Sequence, residues 1–223
     1  MTDEPVPLLD HLQELSIRLW TCLICCLAFA LLGYMLVDHI IGALAKSAGG
    51  FVFTHPTEAF FARVKIAMMT GVFFSLPIII QQVWSFVAKA LTLPERKVLR
   101  MVLPVSYILF CMGAAVAWYI VIPAAMRFFL GFTSLELKPM ISINAYVGFV
   151  AYMLLAFGVV FELPLALIFL AQLGIVNAAG LAARRRMVIL LLAIVAAVFT
   201  PGPDIVSQLA LLIPSYLLFE LSV

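Results

Sequence analysis

The positions of the charged residues constrain this chain more than any other feature. Asp, Glu, Lys and Arg are absent from five long stretches, which are 19–37, 66–88, 101–126, 187–203 and 205–219. A sixth stretch, 139–183, contains one charged residue, Glu162. About 20 apolar residues cross the hydrocarbon core of a bilayer as a helix, and backbone groups in lipid must find partners within their own segment. The pattern therefore predicts membrane-spanning helices.

The composition excludes several other classes of protein. Of the 223 residues, 66% are hydrophobic and 11% are charged, and the mean hydropathy is +1.22. A soluble domain has roughly a quarter of its residues charged, so this chain cannot cover a water-facing surface. The net charge of +2 is too small to indicate a nucleic-acid partner. Cys22 and Cys25 have redox or metal spacing, but no second pair follows, so we expect packing residues and neither a metal nor a cofactor.

The charge-free stretches predict an all-α polytopic membrane protein with six transmembrane helices in one membrane domain, 1–223. The predicted spans are 19–37, 66–88, 101–124, 146–173, 187–200 and 204–220. Pro201, Pro203 and Asp204 predict a tight structural turn between the last two spans. Residues 187–199 make a helix of only about 20 Å, short of the roughly 30 Å hydrocarbon core. The last two spans are therefore expected to be short.

The basic residues predict the orientation of the chain in the membrane. With six spans, the side of the two termini holds Arg18, Lys89, Arg96, Lys97, Arg100, Arg184, Arg185 and Arg186. The other side holds Lys46, Arg63, Lys65, Arg127 and Lys138. Because Lys and Arg concentrate in cytoplasmic connections, we expect both termini in the cytoplasm.

Glu162 is the outstanding candidate for function, because it lies near the middle of the fourth predicted span. An ionised carboxylate at that depth costs about 2.5–3.5 kcal/mol on insertion scales. Pro164 lacks an amide donor, so it bends or opens the helix beside the carboxyl group. Polar partners within the apolar stretches are Gln172, Thr200, Ser207 and Gln208. Two interpretations stay open, a functional polar site and a neutral carboxyl group that hydrogen-bonds a neighbouring helix.

Two further carboxylates lie on the predicted cytoplasmic side. Glu14 belongs to an amphipathic helix over 8–19, and Arg18 follows four residues later, where the two can pair. Glu95 and Arg96 stand in the first turn of a helix that starts near Pro94. An ordinary ion pair and an ordinary helix start also explain these residues. Together, however, the two carboxylates could accept a pair of planar guanidinium groups.

Five segments spread along the chain carry specific motifs. They are His11-Leu12-x-Glu14-Leu15, Pro56-Thr57-Glu58-Ala59-Phe60-Phe61, Gln82-Val83-Trp84-x-Phe86 with Glu95-Arg96, Phe157-Gly158-x-x-Phe161-Glu162-x-Pro164, and Thr200-Pro201-x-x-Asp204-x-x-Ser207-Gln208. Taken in order, they resemble the TatC family, the signal-peptide receptor of twin-arginine protein export. Three positions depart from the family pattern. Ser16 replaces an arginine, Lys89 replaces a proline, and this chain lacks the proline that many relatives carry near Leu44.

The resemblance implies a receptor without enzymatic activity in a bacterial-type cytoplasmic membrane. The residues it implies for binding the twin-arginine signal peptide of folded cargo are Glu14, Arg18, Glu95 and Arg96. Those it implies for binding single-span partners of the TatA and TatB types are Glu162, Thr200 and Gln208. Other TatC copies are further implied partners. The proton-motive force would drive export without a nucleotide.

Two other classes of function fit part of the pattern. A proton-coupled transporter of small solutes could use Glu162 as its proton site, but it should show inverted repeats and a second broken polar helix, which this sequence lacks. An intramembrane enzyme needs a nucleophile with a base, or a second acid at depth. Glu162 and Asp204, at the edge of a span, are the candidates, and a lone carboxylate makes a poor active site.

Overall fold

The structure, a computed structural model, describes residues 8–48, 50–52, 55–88, 93–133, 139–172, 174, 176–199 and 205–222. The helices formed by these residues are α1 (Leu8–Tyr34), α2 (Val37–Ala48), α3 (Pro56–Ala88), α4 (Leu93–Val116), α5 (Ile122–Leu130), α6 (Ile143–Phe161), α7 (Leu163–Gln172), α8 (Ala178–Ala183), α9 (Arg185–Phe199) and α10 (Ile205–Ser222). A π-helical turn, Ala117–Val121, joins α4 to α5.

Among the described residues, four helical stretches are long and apolar enough to cross a membrane. They are Leu12–Tyr34, Pro56–Val87, Val102–Leu130 and Ile143–Gln172. The 15 residues of α9 and the 18 residues of α10 extend about 22 and 27 Å at 1.5 Å per residue. The predicted all-α polytopic fold is confirmed, and the last two apolar helices are the short ones.

The long helices run past the charge-free stretches, because those stretches mark the lipid core rather than the helix ends. The first helix begins at Leu8, and α3 continues for 33 residues from Pro56 to Ala88. Part of the connection between the first two predicted spans, 19–37 and 66–88, forms the helix α2. The fourth span consists of α6 and α7, which meet at Glu162.

Helix packing divides the chain into two compact units. One unit consists of 1–40 and 63–107, and the other of 41–62 and 108–223. The first contains α1 with most of α3 and the first part of α4, and the second contains α5 to α10. In the second unit, α6 contacts the π-helical turn and the helices α7, α9 and α10.

Small residues allow α1 and α3 to approach closely in the first unit. A Cβ atom on Gly71 would lie 2.8 Å from the Cβ of Ala30, and one on Gly33 would lie 2.9 Å from the Cβ of Thr70. Both distances are too short for a real side chain, so the two helices touch at their backbones. Membrane helices gain dispersion energy from such close contacts, since lipid offers no hydrophobic driving force between them.

Polar side chains inside the first unit find partners on neighbouring helices. Ser75 is buried, donates to the carbonyl of Val72 at 3.0 Å, and lies 3.0 Å from the sulfur of Cys26. The indole of Trp84 donates to Ser106 Oγ at 3.3 Å. These hydrogen bonds satisfy polar groups for which lipid offers no partner. Cys26 packs against α3, as expected for a small residue.

In the second unit, α4 and α6 interlock through two glycine–phenylalanine contacts. A Cβ atom on Gly158 would overlap the ring of Phe110, and one on Gly113 would overlap the backbone carbonyl of Phe157. Phe157 itself is fully buried. Each helix therefore offers a glycine to the other, and the Phe157-Gly158 segment is explained by packing.

Gly158→Ala is expected to destabilise the protein by about 1–3 kcal/mol, the usual cost of adding a methyl group to a filled core. The ring of Phe110 would have to move to make room. Thermal unfolding in detergent measures the effect. Gly42→Ala is the matched control, since a Cβ atom there meets nothing within 4 Å and Gly42 also lies inside a helix. Equal losses at the two positions would contradict this packing.

Two connections meet in the second unit through a short backbone pairing. The N–H of Val52 donates to the carbonyl of Ile141 at 3.0 Å, and the N–H of Ile143 donates to the carbonyl of Val52 at 3.2 Å. The ring of Phe51 packs against Tyr146 with centroids 5.4 Å apart. Phe51 and Val52 therefore cover the start of α6.

Candidate functional site

The first candidate site is an ion pair near the start of α1. Glu14 and Arg18 lie one turn apart, and Arg18 Nε donates to Glu14 Oε1 at 2.9 Å. Arg18 Nη2 contacts the same oxygen. The two side chains are only 15% and 17% exposed, so the pair is more shielded from solvent than an ordinary surface pair. The pairing predicted from the spacing is present.

Arg18 also ties this pair to α3. Its Nη1 donates to the backbone carbonyl of Gln82 at 3.1 Å and lies 3.4 Å from Gln82 Oε1. Gln82 is absent from the predicted site, although it stands in the Gln82-Val83-Trp84 segment as an amide inside an apolar stretch. Because α3 holds the guanidinium, the carboxylate that the guanidinium contacts has a defined position.

A small apolar groove lies directly beside the ion pair, between α1 and α3. Its volume is about 130 Å³. Besides Arg18 and Gln82 it is lined by Leu15, Leu19, Cys22, Val83, Phe86 and Val87. A carboxylate next to an apolar groove can recognise a ligand that combines a cationic group with an apolar side chain.

Glu95 and Arg96 lie in the first turn of α4, which belongs to the same unit as Glu14. Their side chains are outside the described residues. The approach of Glu95 to Glu14 therefore stays a prediction.

The second candidate site is the break between α6 and α7. Glu162 is the residue between the two helices, and its backbone N–H donates to the carbonyl of Val159 at 3.1 Å. Pro164 follows in the first turn of α7, where its missing N–H is tolerated. The break thus places a half-buried carboxyl group at a distortion in the middle of an apolar span. The helix is interrupted beside this carboxyl group, as Pro164 predicts.

The two short helices belong to the same unit as Glu162, and two polar contacts join them to each other. Helix α10 packs against α6, α7 and α9. Gln208 Nε2 donates to the carbonyl of Ala193 at 3.3 Å, and Arg185 pairs with Glu220. The amide of Gln208 is therefore engaged within the protein. Thr200 and the predicted turn residues Pro201, Pro203 and Asp204 lie outside the described residues.

The two candidate sites differ in the surroundings of their carboxylates. Among the residues that the structure describes, no group of three or more His, Cys, Asp and Glu side chains could hold a metal ion. The carboxylates occupy ion-paired or helix-break positions on different elements. The fold is that of a polytopic helical membrane protein.

Comparison with known proteins points to one family. The family model of TatC, the Sec-independent protein translocase protein, matches residues 10–214. The TatC protein of Carboxydothermus hydrogenoformans is 37% identical over 227 residues, covering 100% of this chain and 93% of that protein. The TatC protein of Escherichia coli K12 is 35% identical over 228 residues, covering 99% and 88%.

A solved structure agrees with the sequence comparisons. The crystal structure of the twin-arginine translocase receptor TatC in the detergent DDM superimposes with a TM-score of 0.85 at 31% identity, covering 95% of this chain and 97% of that one. The chain belongs to the TatC family. It is a multi-pass bacterial membrane protein and a component of the Sec-independent protein translocase.

Proposed function

We propose that this chain is the receptor subunit of the translocase, which binds the arginine pair of a signal peptide through Glu14 and Glu95. The observation that carries the proposal is the Glu14–Arg18–Gln82 arrangement. In it, a half-buried carboxylate at the start of α1 already accepts a guanidinium group. A carboxylate so placed suits a second guanidinium of a peptide, because Arg binds carboxylates with matched planar geometry.

Arg18 has an acceptor that allows such an exchange. Because Nη1 is bonded to the backbone carbonyl of Gln82, Arg18 keeps a partner when Glu14 turns to a peptide arginine. The adjacent groove at Leu15, Val83 and Phe86 suits an apolar side chain of the same peptide. We assign Arg18 a positioning role and Glu14 the direct contact.

The partner-binding half of the proposal rests on Glu162. Placing a carboxyl group in an apolar span costs free energy, so such groups usually contact another polar group. Helices α9 and α10 are too short to span a full hydrocarbon core and belong to the same unit. A single-span partner of the TatA or TatB type could cover these short helices and bring a polar residue to Glu162.

The direct test is a pull-down of the full chain from detergent with a twin-arginine signal peptide. We expect retention on this peptide and much weaker retention on the same peptide with two lysines, because lysine lacks the planar fork. Equal retention on the two peptides would leave only nonspecific charge attraction and would refute the receptor proposal.

The proposed orientation places both termini in the cytoplasm, and cysteine labelling of intact cells tests it. Single cysteines at positions 97 and 185 should react only after the membrane is permeabilised, whereas one at 138 should react from outside. The reason is the excess of Lys and Arg on the side that holds 97 and 185. Labelling of 97 and 138 from the same side would rule out this topology.

A further inference from the structure

A second groove, separate from both candidate sites, lies beside the π-helical turn in the second unit. It has a volume of about 420 Å³, within the range of small-molecule sites. Its walls include Trp118, Ile122, Met126 and the buried Tyr146. Tyr119, which is 76% exposed, forms part of its rim.

Pro123 explains why the helix opens here. In a regular α-helix, the N–H of residue 123 would donate to the carbonyl of Tyr119, but proline has no N–H. The backbone instead forms the π-helical turn, in which the N–H of Ile122 donates to the carbonyl of Ala117. Such turns occur often at functional sites because they widen the helix and displace its side chains.

Arg127 is the one cation among the described residues that line this groove. Its Nε donates to the carbonyl of Pro123 at 3.3 Å, which holds the guanidinium along α5 at the groove's edge. The same set of described lining residues contains no carboxylate. Glu136 and Lys138 follow in the chain and lie outside the described residues. Arg127 stands in the last turn of α5, at the end of a membrane span.

We propose that this groove binds an anionic phospholipid, with its phosphate on Arg127 and an acyl chain along Trp118, Ile122 and Met126. Under the proposed orientation the lipid belongs to the outer leaflet. The position suits a lipid because Trp and Tyr side chains mark the depth of the headgroups in membrane proteins. This inference does not depend on signal-peptide binding.

Charge favours an anionic headgroup over a zwitterionic one. The ammonium group of phosphatidylethanolamine needs an acidic partner, and the described lining of the groove provides none. Phosphatidylglycerol offers its phosphate to the guanidinium and its hydroxyl groups to water. Arginine binds the phosphate of either lipid through parallel hydrogen bonds, and the preference for phosphatidylglycerol comes from its net negative charge, which no ammonium group offsets.

Native mass spectrometry of the full chain in mild detergent tests the proposal. Phosphatidylglycerol should bind more tightly than phosphatidylethanolamine with the same acyl chains. Arg127→Gln should weaken phosphatidylglycerol binding roughly tenfold, equivalent to about 1.4 kcal/mol, and Arg127→Lys should restore part of it. The matched control is Arg63→Gln, which removes another exposed arginine that pairs with Asp38 at 2.8 Å. It should leave lipid binding unchanged.

Four outcomes would overturn the proposal. Equal binding of the two lipids, or unchanged binding by Arg127→Gln, would mean that only unspecific boundary lipid is present. Displacement of the lipid by glycerol 3-phosphate at matched concentration would indicate a site for small soluble phosphates. Cross-linking from position 119 to another polypeptide in membranes, with no bound lipid, would identify a protein-docking surface. Thermal unfolding of each variant confirms that the comparison involves folded protein.

Discussion

Replacing both Glu14 and Glu95 with alanine is expected to abolish binding of a twin-arginine peptide. A charge-assisted hydrogen bond contributes about 1.5–3 kcal/mol, so each single substitution should weaken binding by roughly tenfold to a hundredfold. If the two carboxylates hold different arginines, the losses should add to about 3–6 kcal/mol. Isothermal titration with purified protein and peptide measures both singles and the double variant.

The structure gives this experiment a matched control. Asp38 forms an ion pair with Arg63 at 2.8 Å in the same unit, and its side chain is 75% exposed. Asp38→Ala removes the same charge without touching the Glu14 pair, so peptide binding should stay unchanged. When Glu14 or Glu95 is replaced by alanine, the affinity for a twin-lysine peptide should fall less than the affinity for the twin-arginine peptide. Equal losses of peptide affinity for Asp38→Ala and Glu14→Ala would mean that only the net charge of the protein matters.

Glu14→Ala should leave the fold intact, which makes a loss of binding interpretable. Arg18 keeps the backbone carbonyl of Gln82 as an acceptor, and the pair lies near the start of the first candidate span rather than in its middle. We therefore expect little change in the unfolding temperature. A large drop would show that the pair acts in folding and would weaken its assignment to the peptide.

Glu162→Ala is expected to eliminate association with a single-span partner while signal-peptide binding persists. Alanine removes the polar group at the α6–α7 break, so a polar residue on the partner helix would be left without a bond in lipid. Co-purification with a coexpressed TatA- or TatB-type protein measures association, and the peptide pull-down measures the other activity on the same sample.

Glu162→Gln separates hydrogen bonding from proton transfer. The amide keeps both a donor and an acceptor, so most partner association and export should remain. Gln172→Ala is the control, since Gln172 is an exposed amide on α7, the helix that begins just after Glu162. If Gln proves as inactive as Ala, a titrating carboxyl group is required and a proton-coupled role gains support. If Ala also removes peptide binding, the two activities are not separable.

Much of the fold follows from the sequence because lipid imposes strong local rules. The charge-free stretches mark helices wherever backbone groups must be satisfied without water, and Pro164 marks the break beside Glu162. The pairing of Glu14 with Arg18 also follows, since residues four apart meet on any helix. These features depend on neighbours in the chain, so the sequence determines them by itself.

Contacts between distant residues were decided only by the tertiary structure. Arg18 and Gln82 are 64 residues apart, and no local pattern indicates that they meet. The same holds for the contacts of Gly113 with Phe157 and of Phe110 with Gly158, which depend on how α4 and α6 pack. Pro123 predicts a disturbed helix, but whether the helix kinks or widens into a π-helical turn depends on the helices packed around it. In lipid, the hydrophobic effect does not drive two helices to associate. Complementary shape and polar contacts between helices therefore determine which helices pack together.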